Sequence, residues 1–154
     1  MRNKKGFSLF ELMIVIGIIA ILSAITVPNL ISWYRNQGLR NAVVELQSNL
    51  QLAKMFAVKQ NRSCSININT GAGSYNIPDI GKTVSLGTYS GGVVFGSPPG
   101  QGTTAGVLTF NSRGLCSPFG SIYLTNRDNS AYYRTLVIIS GGVVTSKWNG
   151  ANWE

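Results

Sequence analysis

"KKGFSLFELMIVIGIIAILSAITVP", from Lys4 to Pro28, holds one charge, Glu11, once its leading lysines are passed. The apolar run extends from Phe7 to Ile31, 25 residues, and as a helix it rises about 38 Å. A hydrocarbon core is about 30 Å thick, so the run can span a bilayer with some tilt. Arg2, Lys4 and Lys5 precede it, which predicts a cytoplasmic N-terminus and an exported C-terminal part. A carboxylate at the bilayer centre costs on the order of 3 kcal/mol, less near the interface, so Glu11 calls for a partner. Pro28 removes a backbone donor and disfavours helical geometry at Val27, which predicts a kink there.

The helical pattern continues past Pro28 with a different texture. Leu39, Val43, Leu46, Leu50, Ala53 and Ala57 recur at spacings of three or four, giving one apolar stripe. Arg40, Glu45, Gln47, Asn49, Gln51, Lys54 and Lys59 fall mostly on the other face. Gly38 weakens this helix by about 1 kcal/mol relative to Ala without ending it. A helix from Phe7 to about Gln60 would be roughly 80 Å long. Its first half is membrane-like and its second half amphipathic.

After Arg62 the chain breaks into short runs. Strands are expected at Ser63–Asn69, Ser74–Ile77, Thr83–Leu86, Val93–Phe95, Val107–Phe110, Ser121–Thr125, Tyr132–Ser140 and Val143–Trp148. Gly141-Gly142 between two apolar runs signals a hairpin. No long helical pattern separates the strands, so the sheet should be largely antiparallel. The Leu39–Ala57 stripe is the one long apolar face able to cover it. The fold class is therefore α+β, the C-terminal half of a long helix lying on an antiparallel sheet. "GSPPGQGTTAG", residues 96–106, reads as an exposed and mobile loop.

Composition excludes several chemistries. There is no His in the 154 residues, which removes imidazole bases, His metal ligands and His-based triads. The five acidic residues are Glu11 in the apolar run, Glu45 in the helix, Asp79 and Asp128 in separate loops, and Glu154 at the end. None pairs at a catalytic spacing, and no phosphate-binding loop is present. The expectation is a protein without enzymatic activity, cofactor or metal. Cys64 and Cys116 match no CxxC spacing and read either as a disulfide in an exported domain or as two buried thiols. The formal charge of +8 is partly local: behind Gly6, ten basic and five acidic side chains remain, scattered along the chain.

Lys4-Lys5-Gly6, then Phe7-Ser8-Leu9-Phe10-Glu11-Leu12 and the run to Pro28, resembles the class III signal sequence of type IV prepilins and type II secretion pseudopilins. The resemblance implies a leader at 1–6, a transmembrane and filament-core helix at 7–31, an amphipathic half at 32–62 and a periplasmic or extracellular β-rich head at 63–154. It implies that a prepilin peptidase cuts between Gly6 and Phe7 and methylates the Phe7 amine. It also implies that Glu11 meets the N-terminal amine of a neighbouring subunit. The partners would be other pilin or pseudopilin subunits and an inner-membrane assembly platform. The subunit would be a single-pass protein of a bacterial inner membrane before entering a filament.

Phe110, Arg113-Gly114, Leu124-Thr125, Arg134 and Gly141-Gly142 follow the order found in the GspH/FimT group of minor pseudopilins and pilins, which this part of the chain resembles. The implied function is a structural subunit of a type II secretion pseudopilus or a type IV pilus. Some FimT-type pilins bind DNA through basic residues near the C-terminal end of the sheet. That cluster is absent after Gly142, where Lys147 stands alone. The alternative function is a tip module for DNA or surfaces, with Arg113, Arg127, Arg134 and Lys147 converging beside Tyr132, Trp148 and Trp153.

Overall fold

The structure, a computed structural model, describes residues 8–154. These form two compact units, a first ending at Tyr34 and a second spanning Arg35–Glu154. One continuous helix, α1, runs Leu9–Lys59 and serves both. It passes through Pro28 without ending.

In the first unit, every side chain described from Ser8 to Tyr34 is exposed. The segment is long and apolar enough to cross a membrane, and its most apolar window is wholly unburied. In the second unit α1 buries one stripe: Leu39, Ala42, Val43, Leu46, Leu50, Ala53 and Ala57. The expected stripe is therefore observed, with Ala42 added. Burying each Leu contributes about 1.5–3 kcal/mol.

Eight strands follow: β1 Cys64–Asn69, β2 Ser74–Ile77, β3 Lys82–Ser85, β4 Val93–Phe95, β5 Val107–Phe110, β6 Gly120–Asn126, β7 Tyr132–Val137 and β8 Val143–Lys147. All pairings are antiparallel, as expected, but there are two sheets instead of one. The first has the order β3-β2-β1-β5 and the second β4-β6-β7-β8. Ile66, Tyr75, Ile77, Leu108 and Phe110 of the first sheet share one core with Val93, Ile122, Leu124 and Val137 of the second and with the α1 stripe.

The β7–β8 hairpin forms around Gly141, whose N–H donates to the Ile138 carbonyl at 2.8 Å, at a φ of 73° that favours glycine. β7 stops at Val137, three residues before its expected end.

Residues 96–106 form a loop, as expected, exposed at Pro99, Gly100, Gly102, Thr103 and Gly106. Pro98 is buried, and both ends of the loop bond to the edge of β6 that β4 leaves open. The N–H of Gly96 donates to the Tyr123 carbonyl at 3.1 Å, and that of Ala105 to the Ser121 carbonyl at 2.9 Å. The Tyr123 N–H donates to Thr104 Oγ1 at 3.2 Å. The C-terminal tail folds back over the loop, where Trp153 sits 5.7 Å from the Tyr123 ring and donates to Gln101 Oε1 at 3.1 Å.

Cys64 and Cys116 are free thiols, both buried, which favours the second of the two sequence readings. Phe110 explains why. Cys64 pairs with Phe110 across one edge of β5, and Cys116 bridges Phe110 across the other. Two strand spacings, about 10 Å, separate the two backbones. A disulfide needs Cα atoms within about 7 Å, so bridging would require the sheet to move. Burial, ahead of the nearby Asp79 charge, pushes the Cys64 thiol up to about 11.

Candidate functional site

The first candidate surface is the start of α1. The Leu12 N–H closes the first helical bond onto the Ser8 carbonyl at 3.2 Å, and the Phe10 N–H reaches Ser8 Oγ at 3.3 Å. Ser8 is thus the N-cap, and Glu11 stands at the third helical position of a Ser-x-x-Glu capping pattern. A carboxylate there lies in the positive end of the helix dipole, which favours it by about 0.3–1 kcal/mol. Glu11 therefore has a local electrostatic reason besides any partner. The spacing that shows this, Ser8 three residues before Glu11, is present in the sequence. Lys4, Lys5, Gly6 and Phe7 lie outside the described residues.

Apolar side chains surround this helix on all sides, Leu9, Phe10, Met13, Ile21 and Ile25 each being more than 60% exposed. An amphipathic helix of a soluble protein shows one apolar stripe; one apolar all round belongs in lipid or among other helices.

The second candidate is a polar cluster where α1 meets the first sheet. Asn49 interrupts the buried stripe, and its Nδ2 donates to Tyr75 Oη at 2.7 Å. Its Oδ1 accepts from Lys82 Nζ at 2.8 Å. Lys82 also forms a 3.4 Å ion pair with Glu45, whose other oxygen accepts from Tyr89 Oη at 2.5 Å. The Tyr89 hydroxyl, more than Lys82, holds the Glu45 carboxyl below its usual range. Burial pushes the Tyr75 phenol up to about 12 and also raises that of Tyr89. An open recess of about 510 Å³ beside these groups is lined by Gln37, Arg40, Glu45, Asn49 and Lys82. Each partner is satisfied by another, so the cluster acts as a clamp between helix and sheet. Among the described residues, no three His, Cys, Asp or Glu side chains come together to hold a metal.

The four basic residues of the nucleic-acid reading do not converge. Arg113 is in a turn held by Asn111 Oδ1, which accepts from the Arg113 and Leu115 N–H groups at 2.9 and 3.0 Å. The adjoining Gly114 packs against Lys54 and Val58, near the C-terminal end of α1. Arg127 follows β6 and packs on Gly92. The seven residues of β6 lie between them, about 23 Å of strand. Arg134 stacks over Trp153 at 4.8 Å and so serves to hold the C-terminal tail. It pairs across strands with Ser146, which places Lys147 on the opposite face. The geometry gives a shared cationic patch no support: β6 lies between Arg113 and Arg127, and strand alternation sets Lys147 on the face opposite Arg134.

Residues 1–27 match the prokaryotic N-terminal methylation motif, and residues 42–142 match the family described as type II transport protein GspH. The structure is similar to the type IV minor pilin FimU of Pseudomonas aeruginosa, with a TM-score of 0.56 and 16% identity. That likeness covers 79% of this chain and 96% of FimU, and at this identity it speaks for the fold alone. A 61-residue stretch is 39% identical to the type IV wide pilus major component PilA4 of Thermus thermophilus. The stretch is 40% of this chain and 47% of PilA4, so the chain spans about half the length of that relative.

A long helix, apolar in its first half and covering antiparallel sheets with its second, defines a pilin-like fold. With the domain match covering residues 42–142, the chain belongs to the GspH family of pilins and pseudopilins.

Proposed function

We propose that this chain is a structural minor pilin or pseudopilin, of no catalytic activity, that assembles through α1 into a type II secretion pseudopilus or a type IV pilus. The observation that carries this is the helix apolar on every side, attached to a second unit that buries a core of its own. Before assembly the apolar segment sits in the inner membrane, with Arg2, Lys4 and Lys5 on the cytoplasmic side and residues 63–154 in the periplasm. A prepilin peptidase cuts between Gly6 and Phe7 and the new Phe7 amine is methylated. Glu11 then pairs with the Phe7 amine of an adjacent subunit, replacing an unpaired charge in lipid with a charge-assisted contact. Pro28 lets the helix bend as it moves from bilayer to filament.

Mass spectrometry of the chain expressed with a prepilin peptidase tests the first step. The expected product begins at Phe7 with one added methyl group, and Gly6→Leu leaves the leader attached. An intact leader on the unaltered chain would contradict the reading.

A further inference from the structure

Near the start of the second unit, a loop and two arginines form a recess that neither the fold nor the assembly reading uses. It has a volume of about 380 Å³ and is lined by Arg35, Gly91, Gly92, Arg127 and Asp128. The loop is pressed on the helix backbone to backbone. A Cβ on Gly38 would lie 1.9 Å from the Ser90 carbonyl oxygen, and one on Gly91 would lie 2.9 Å from the Cα of Arg35. Gly91 and Gly92 take successive positive φ values of 87° and 66°, which only glycine adopts without strain. The contact fixes where Arg35 stands, and a Cβ on Gly92 would lie 3.4 Å from the Cβ of Arg127.

Charge in the recess is unbalanced. Arg35 forms a 3.4 Å ion pair with Asp128. Asp128 also accepts from the Ser130 hydroxyl at 3.0 Å, so its charge is shared. Among the described residues, Arg127 forms no ion pair or hydrogen bond, and its side chain is exposed. Two guanidiniums and one shared carboxylate leave a net positive recess whose donors suit a phosphate.

The position of the recess along the chain selects the source of that phosphate. Arg35 is the fourth residue after Ile31, where the apolar run ends, so it stands about 6 Å further along the same helix. Trp33 and Tyr34, 59% and 61% exposed, immediately precede it. Aromatic residues beside the end of an apolar span, followed by cations, are the pattern of a membrane–water interface.

We propose that Arg35, Arg127 and the Gly91-Gly92 loop bind the phosphate of an anionic phospholipid headgroup while the subunit resides in the membrane. The site would hold the second unit down on the bilayer until the subunit is extracted into a filament. This rests on the membrane placement of the apolar segment given above.

Hydrogen exchange of the full chain in lipid nanodiscs tests it, comparing phosphatidylcholine alone with a mixture containing phosphatidylglycerol. Exchange across residues 89–94 is expected to slow about fivefold in the anionic discs. Arg127→Gln should abolish the slowing, whereas Lys59→Gln, at the other end of the second unit, should leave it intact. Equal exchange in both discs, or slowing that survives Arg127→Gln, overturns the proposal. Equivalent slowing by inorganic phosphate in phosphatidylcholine discs reassigns the site to free phosphate and overturns the lipid assignment. A chain that fails to insert into either disc contradicts the membrane reading instead.

Discussion

Gly38 shows how a single residue can mislead when read alone. By helix propensity it is a defect, yet the structure places the Ser90 carbonyl oxygen where its side chain would start. Gly38→Ala is therefore expected to destabilise the second unit, by about 1–3 kcal/mol, against the gain of roughly 1 kcal/mol that propensity alone would give. Chemical denaturation of the full chain in detergent distinguishes the two signs. Glu45 supplies a second case. Its folded pKa is held below the ordinary 4.5, chiefly by the Tyr89 hydroxyl, so its contribution is present above about pH 4.5 and is lost as pH falls through the lower, folded value. Tyr89→Phe should shrink that acid-side loss of stability, measured as unfolding midpoints from pH 6 to pH 3. An unchanged pH profile would show that the contact is immaterial.

Among the elements, the residue patterns and the structure agree where period and punctuation are strong. The eight strands form close to their expected places because alternating Ile, Val and aromatic residues are bounded by Gly, Pro and Asn. The amphipathic half of α1 was legible from a stripe at period three to four. Partition into two sheets was not, because alternation says which face is buried but not which strand is the neighbour. β5 pairs with β1 across 40 residues, a choice made by shared burial of Ile66, Leu108 and Phe110. The fixation of the 96–106 loop was not legible for a related reason. Its Gly and Pro residues signal a loop, while its fixation depends on Thr104 meeting the backbone of Tyr123, a tertiary contact. Thr104→Val should cost about 1–2 kcal/mol and raise hydrogen exchange along residues 96–106. Retained protection there would mean that Pro98 and Gln101 hold the loop without it.

At the scale of the molecule, the two units divide the chemistry. The second carries its own core, a polar clamp at Asn49 and Glu45, and a tail held by Arg134, and among the described residues it leaves Arg127 unpaired at the recess beside Gly92. The first leaves an apolar surface and one carboxylate at a capped helix start. The opening stretch was legible as a helix long and apolar enough to cross a membrane, with Glu11 as its one charge. The capping role of Ser8 is written in the Ser8–Glu11 spacing, where the lone carboxylate is the more conspicuous feature.

Glu11→Gln keeps the size and polarity of the side chain and removes its charge, whereas Glu11→Val removes both charge and polarity. The decisive measurement is the fraction of processed chain recovered in sheared filaments from cells expressing each variant in place of the unaltered protein. The account predicts that both variants are cleaved after Gly6 and accumulate in the membrane, but are depleted at least tenfold from filaments, a coupling of about 1.4 kcal/mol or more. Filament incorporation of either variant at the level of the unaltered chain would contradict the claim that a buried charge pair drives assembly.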